Sequence, residues 1–341
     1  MDVGVVLFAP PKRTAALAGL AEQMGFASLR FPDSQNLAPE VWGQLMLAAA
    51  ATTRIQLGPG VTNSVTRDAA VTACAALSLQ VESDGRAVLG IGRGDSSVQR
   101  IGQGLDSVAR FERYLQMVRA YLSGEAVERD GFASRLEWLP HVTVPPVPIE
   151  VAATGPRVIE VAARQADRIC FAVGADPEHL AAALARARAA AAAAGRDPDA
   201  LRYGAFINCV LHDEVGVARD ALRGAVATFA RFSAMRGSPL AQLPAPLRRT
   251  AEYLRTHYDM RDHTRVAAAH TAGIDDAFVD WFAIAGPVER ALPRFRQLAA
   301  LGLDFVHVVP SSTGVARDIA VGSFTRLGNE LLPALRGTPP S

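Results

Sequence analysis

Short apolar runs alternate along this chain with stretches whose apolar residues recur every three or four positions. The short runs predict buried strands and the periodic stretches predict helices. The strands fall at 3–8, 27–31, 55–61, 87–91, 147–152, 168–173, 202–211 and 305–310. Helices are expected at 14–25, 39–52, 69–81, 107–123, 156–166, 177–194 and 287–301. In the first of them Leu17, Leu20 and Met24 form the apolar stripe, and the fourth is closed by Gly124. The run "LARARAAAAAAG" in the sixth is a strong helix former, read here as a packing helix. Two segments break the rhythm. Residues 125–146 read as a hairpin or excursion, and 214–300 is too long for one crossover helix, so it holds an inserted set of helices before the last strand.

Eight strands, each followed by a helix, predict an α/β fold, a (β/α)8 TIM barrel, rather than an open doubly wound sheet. No internal repeat or linker divides it, so one domain over 1–341 is expected. Chemistry in such a barrel sits at the C-terminal ends of the strands. That rule selects 8–10, 32–34, 60–64, 92–96, 153–155, 174–175, His212 and 307–312. These positions are small, glycine-rich and polar. They lack the usual acid–base groups and suit a site in which a bulky planar phosphorylated cofactor does the chemistry.

The densest glycine cluster, "VLGIGRGDSSVQRIG" at 88–102, fits no nucleotide fingerprint. Counted from Gly90 the sixth residue is Asp95, and from Gly92 it is Ser97, so the Gly-x-Gly-x-x-Gly spacing fails. No lysine follows for a phosphate loop. What remains is a buried strand ending in a turn that lets backbone approach a ligand closely.

Composition narrows the chemistry further. Half of the 341 residues are hydrophobic, and the net charge is +1, so no basic surface advertises nucleic acid. No apolar run reaches membrane-span length. The opening "MDVGVVLFAPPKR" runs straight into a strand, unlike a signal peptide. Cys74, Cys170 and Cys209 are far apart and odd in number, which points to a reducing, cytoplasmic setting. Lys12 is the only lysine, which argues against Schiff-base chemistry. No His, Cys, Asp and Glu stand at ligand spacing, so no metal site is expected.

The stretches "IQLGPGVTNSVTRDAAVTACAALSL", "GRAVLGIGRGDSSVQRIG", "FPDSQ", "VAATGPRVIEVAARQADRICFAVGA" and "FAIAGPVERALPRFRQLAALGLDFVHVVP" occur in an order that resembles the bacterial luciferase-like family. The nearest part of that family is its deazaflavin-dependent branch, which includes methylene-tetrahydromethanopterin reductase. The resemblance implies a flavin or deazaflavin at the barrel mouth and usually a homodimer. It implies coenzyme F420 as cofactor, with FMN as the alternative, and hydride transfer to or from a small organic substrate. Gly60-Val61 matches the third-strand bulge, which in the family contains a cis peptide and backs the cofactor ring. Thr62 and Asn63 match groups beside the ring, and Asp33 matches a second-strand contact. Gly92 and Asp95 lie on the cofactor-side turn. Ala153, Thr154 and Gly155, followed by Pro156, match the turn that receives the phosphate at a helix N-terminus. Gly174 and Ala175 match the next strand end. Asp33 and Asn63 are the catalytic candidates.

Two residues depart from the family pattern: Ser34 stands where many deazaflavin members have histidine, and Ser64 where proline is common. A reduced-FMN monooxygenase served by a separate flavin reductase is the second enzyme reading, and the missing histidine keeps a third open, a non-catalytic flavin-binding barrel. Several single residues carry a structural reading as well. Asp33 caps a turn or contacts ligand, Asp95 holds its own turn, and His307 is a packed core histidine. Arg157 binds an anionic tail or a surface carboxylate. Tyr258, Asp259 and His263, in the insertion, reach over the mouth or form a solvated helix face, the second being the plainer reading.

Overall fold

The apolar runs close into a parallel barrel in the computed structural model, which describes residues 1–235 and 240–337. In chain order β1 (Asp2–Val6), α1 (Thr14–Gln23), β2 (Ser28–Phe31) and α2 (Val41–Ala50) lead to a stave in two pieces, β3 (Gln56–Pro59) and β4 (Thr62–Asn63). Next come α3 (Ala69–Glu82), β5 (Leu89–Gly92), a single turn α4 (Ser96–Gln99) and α5 (Val108–Leu122). The excursion is an antiparallel hairpin, β6 (Val127–Arg129) with β7 (Phe132–Ser134). Then follow β8 (Ile149–Ala153), α6 (Pro156–Gln165), β9 (Arg168–Phe171), α7 (Pro177–Ala193) and the long β10 (Arg202–Leu211). The insertion supplies α8 (Val215–Ser233), α9 (Ala245–His257), α10 (Asp276–Phe282) and β11 (Ile284–Gly286). The chain ends with α11 (Val288–Ala300), β12 (Phe305–Val309), α12 (Arg317–Arg326) and α13 (Leu332–Arg336).

The strand order β3-β2-β1-β12-β10-β9-β8-β5-β4 is parallel throughout, and a Leu57–Ala87 bridge brings β3 against the start of the β5 stave. Nine strand segments therefore make eight staves, and the (β/α)8 barrel with a helical insertion before the last strand is what forms. The strands read as largely apolar runs because one face of each packs on the helices and the other fills the barrel, with Arg30, Glu150, Arg168 and His307 as the interruptions. The Gly60-Val61 bond, between the two pieces of the third stave, is cis as the resemblance implied.

Two expectations change. In α1 the residues turned fully inward are Thr14, Ala18 and Ala21, while Leu17 and Met24 are half-buried and Leu20 is 41% exposed. Small side chains face the barrel here, so size alone misplaced the stripe. The end of the insertion adds β11, which pairs parallel with Cys209–Leu211 of β10. Gly224 lets α8 lie against the 264–265 backbone: a Cβ there would stand 2.5 Å from the carbonyl oxygens of both Thr264 and Arg265.

Candidate active site

The C-terminal ends of the staves surround a cavity of about 370 Å³. Its floor comes from one inward position per stave: Val6, Pro32, Gly60, Gly92, Ala152, Ala172, Phe206 and Val309. Its roof comes from the insertion, through Thr228, Phe229, Phe232, His263 and Thr264. The walls are mostly apolar, with polar atoms at two ends, a composition suited to a planar ring with a charged tail.

At one end Asp33 is 6% exposed and its carboxylate is fully engaged. It accepts from Thr62 Oγ1 at 2.6 Å and from both terminal nitrogens of Arg67, which also reaches Glu40 at 3.0 Å. Asn63 is equally committed. Its Oδ1 accepts from the Val65 and Thr66 amides, each at 2.9 Å, and its Nδ2 donates to Thr66 and Ser97. The two catalytic candidates thus tie the β4 loop to its neighbours. Ser34 and Ser96 share a hydrogen bond of 2.9 Å. Ser64 donates to Asp106 at 2.8 Å, a partner that proline could not have had.

Opposite lies the 153–157 turn. Gly155 is the N-cap of α6, Pro156 opens the helix, and a Cβ on Gly155 would meet nothing within 4 Å. Thr154, Gly155, Pro156 and Arg157 all line the cavity, and Arg93 lines it beside them. Burial lowers the Arg93 guanidinium below its ordinary range, and the charge of Arg157 adds to this. A free helix N-terminus with two mutually repelling cations has the donors for an anion. Ala153, Gly174 and Ala175 are placed otherwise. None of the three lines the cavity, and Gly174, at φ +89°, lies where a Cβ would strike the Phe282 ring at 2.6 Å.

The roof carries a polar cluster, so of the two readings of "HYDMRDHTR" the one that reaches over the mouth holds for His263, and the solvated helix face does not form. Tyr258 and His263 follow α9 rather than lying on it, and His263 is 8% exposed. Tyr258 Oη is 2.7 Å from His263 Nδ1 and 2.9 Å from Thr228 Oγ1. Asp95 pairs with Arg231 of α8 through Oδ1, and its Oδ2 has no hydrogen-bond partner, with His263 Nε2 3.8 Å away. Asp95 therefore bridges the β5 turn to the insertion, beyond the turn-holding role expected of it. Burial lowers His263 to about 4, outweighing the attraction of Asp95. Tyr258 donates to Nδ1 of the neutral ring, which leaves an Nε2–H turned toward that carboxylate at 3.8 Å, beyond hydrogen-bond length. The reading missed Arg231 because its partner lies far away in the chain.

Beneath the floor the barrel is ionic. The residues two before Pro32, Ala152, Ala172 and Val309 on their strands are Arg30, Glu150, Cys170 and His307, all buried. Arg30 donates to Glu150 Oε2 at 3.2 Å, and His307 Nε2 donates to Oε1 at 2.9 Å. Arg168 Nε lies 2.9 Å from Oε2 without hydrogen-bond alignment. Glycines make the room: a Cβ on Gly58 would stand 2.4 Å from Arg30 Nη1, and one on Gly4 would stand 2.9 Å from His307 Nδ1. Burial opposes the charge on Glu150, yet Arg30, His307 and Arg168 together hold it well below the carboxylate range. His307 is the packed core histidine expected, and burial lowers it against the pull of Glu150. The fold also gathers Glu150, Cys170 and His307 within 4.8 Å, a grouping invisible in their spacing. Two guanidiniums already neutralise that carboxylate, which disfavours a cation there. A charged residue inside each of "SLRF", "PIEVAA" and "DRICF" was the sequence signal for this layer. Among the described residues no helix is long and apolar enough to cross a membrane.

Comparison with known proteins places this geometry. The chain is 29% identical over 326 residues to 5,10-methylenetetrahydromethanopterin reductase of Archaeoglobus fulgidus, covering 93% of this chain and 94% of that protein. It is 32% identical over 238 residues to an F420-dependent hydroxymycolic acid dehydrogenase of Mycobacterium tuberculosis, covering 64% of this chain and 65% of that protein. In structure it resembles the coenzyme F420 dependent tetrahydromethanopterin reductase of Methanopyrus kandleri, with a TM-score of 0.74 at 23% identity over 98% of this chain and 99% of that one. The model of the luciferase-like monooxygenase family matches residues 3–304. The chain belongs to the luciferase-like monooxygenase family.

Proposed function

We propose that this protein is an oxidoreductase that binds the deazaflavin coenzyme F420 at the barrel mouth, where hydride passes to or from a small organic substrate. The observation that carries the reading is the pairing of an apolar cavity with an open anion-binding turn. The floor accepts a planar ring, and the Gly155 N-cap with Arg93 and Arg157 accepts a phosphate. The cofactor supplies the hydride chemistry. The chain binds it, orients it and excludes water. Gly60, Val61 and Thr62 back the ring in this reading. Asp33 and Asn63 position the β4 loop, since their polar atoms are already bonded to protein. His263 and Thr264 of the roof line the cavity where a substrate would lie, and Asp95 lines it from the β5 turn. Relatives named as F420-dependent enzymes support F420 over FMN.

The test is to titrate the purified protein with coenzyme F420 and with FMN separately. F420 is expected to bind at least about tenfold more tightly, equivalent to about 1.4 kcal/mol. Equal or reversed affinity would favour a reduced-FMN monooxygenase, which needs a separate reductase.

A further inference from the structure

The cavity floor is thin and apolar, and the charged layer lies directly under it. Along a strand two residues rise roughly 7 Å, so Arg30, Glu150 and His307 sit about that far below the floor side chains Pro32, Ala152 and Val309. Arg168 lies one further step down, its guanidinium carbon 4.3 Å from the Phe305 ring centroid. All four are under 5% exposed, so bulk solvent screens them little. With two guanidiniums, one carboxylate and a neutral imidazole, the layer holds one net positive charge.

We propose that this buried layer sets the charge state of the cofactor ring, favouring its anionic form. The inference rests on the F420 reading of the cavity. Coenzyme F420 carries a ring hydroxyl whose ionisation spreads negative charge across the conjugated system. A fixed positive charge below the ring makes that hydroxyl more acidic. Four small residues in the floor, Gly60, Gly92, Ala152 and Ala172, keep the separation short.

The test uses the full chain loaded with coenzyme F420, and the readout is the absorbance of the bound cofactor across a pH titration. Arg168→Gln removes a positive charge, Glu150→Gln removes the negative one, and the double variant restores the net charge. His307→Asn alters packing and leaves the charge alone. The other charged groups around the ring are Asp33 with Arg67, Arg93, Asp95, Arg157 and Arg231, and His263 is the titratable one. None of them changes in any variant. At the effective dielectric of a protein interior, one charge at this range shifts the acid constant by about tenfold. Arg168→Gln is expected to make the bound hydroxyl about tenfold less acidic and Glu150→Gln about tenfold more acidic. The double variant and His307→Asn should stay near the parent. Shifts below about twofold, or of the same sign in both single variants, would overturn the proposal. If Glu150→Gln does not fold, Arg168→Gln against His307→Asn decides alone. A parent that does not bind F420 would overturn the cofactor reading itself, an outcome distinct from a bound cofactor indifferent to the layer.

Discussion

Replacing Gly155 by valine separates binding from folding at the α6 turn. The backbone there has φ −85° and ψ 155°, extended values that a β-branched residue adopts readily. Its Cβ would meet no atom within 4 Å, so the fold has room for the side chain. The folding cost reduces to the poorer N-cap, about 1 kcal/mol or less, which in a chain of this size lowers the Tm by no more than about 4 °C. In the proposed binding mode the side chain enters the space the phosphate would take, in front of the Gly155 and Arg157 amides. Losing one charge-assisted contact costs about 1.5–3 kcal/mol, so Kd for coenzyme F420 should rise about 10- to 150-fold. Thermal melting and fluorescence titration of variant and parent, at one ionic strength, measure both terms. A Kd within about threefold of the parent, with melting preserved, would show that the phosphate lies elsewhere.

Two further outcomes follow from the roof. Gly224→Ala places a methyl 2.5 Å from the Thr264 and Arg265 carbonyls, so α8 and that segment must part by roughly 1 Å. The better helix propensity of alanine offsets only part of an overpacking cost of about 1–3 kcal/mol, and an unchanged or raised Tm would contradict this packing. His263 has a folded-state pKa lowered from 6.5 to about 4, so the folded state binds fewer protons than the unfolded between those values. Stability therefore falls as pH drops from about 6.5 to about 4 and loses nothing further from this group below that, a total of about 3 kcal/mol. Burial lowers His179, His270 and His307 in the same direction, so the comparison is between parent and His263→Gln. Urea melts across this range should show a shallower acid slope in the variant, and identical slopes would refute the assignment.

The barrel was legible because its strands are buried on both faces, which leaves runs such as 3–8 and 202–211 with almost no polar interruption. The floor was legible for a related reason, since the strand-end rule picks positions by place in the fold. What escaped depends on pairing at a distance. Asp95 and Arg231 meet only because α8 folds back over the β5 turn. Strand β11 has three residues, too few for any period to show, and exists because β10 runs on past the barrel to offer it an edge. Tyr258 and His263 sit in a polar stretch, "HYDMRDHTR", that looks solvated until α8, α9 and the 264–265 segment close around it.

The pairing of β10 with β11 also has a topological consequence. Leu211, where the chain leaves for the insertion, lies beside Gly286, just after it returns. Departure and arrival share one place, as at the neck of a side branch. The branch is anchored at that neck and again where Arg231 meets Asp95, Arg100 meets the 260–261 carbonyls and Thr313 bridges Arg265, and the entropy of closing it grows only with the logarithm of its length. The intervening stretch can be lengthened, shortened or exchanged as a single contiguous graft, which would reshape the roof while the floor keeps every residue it has.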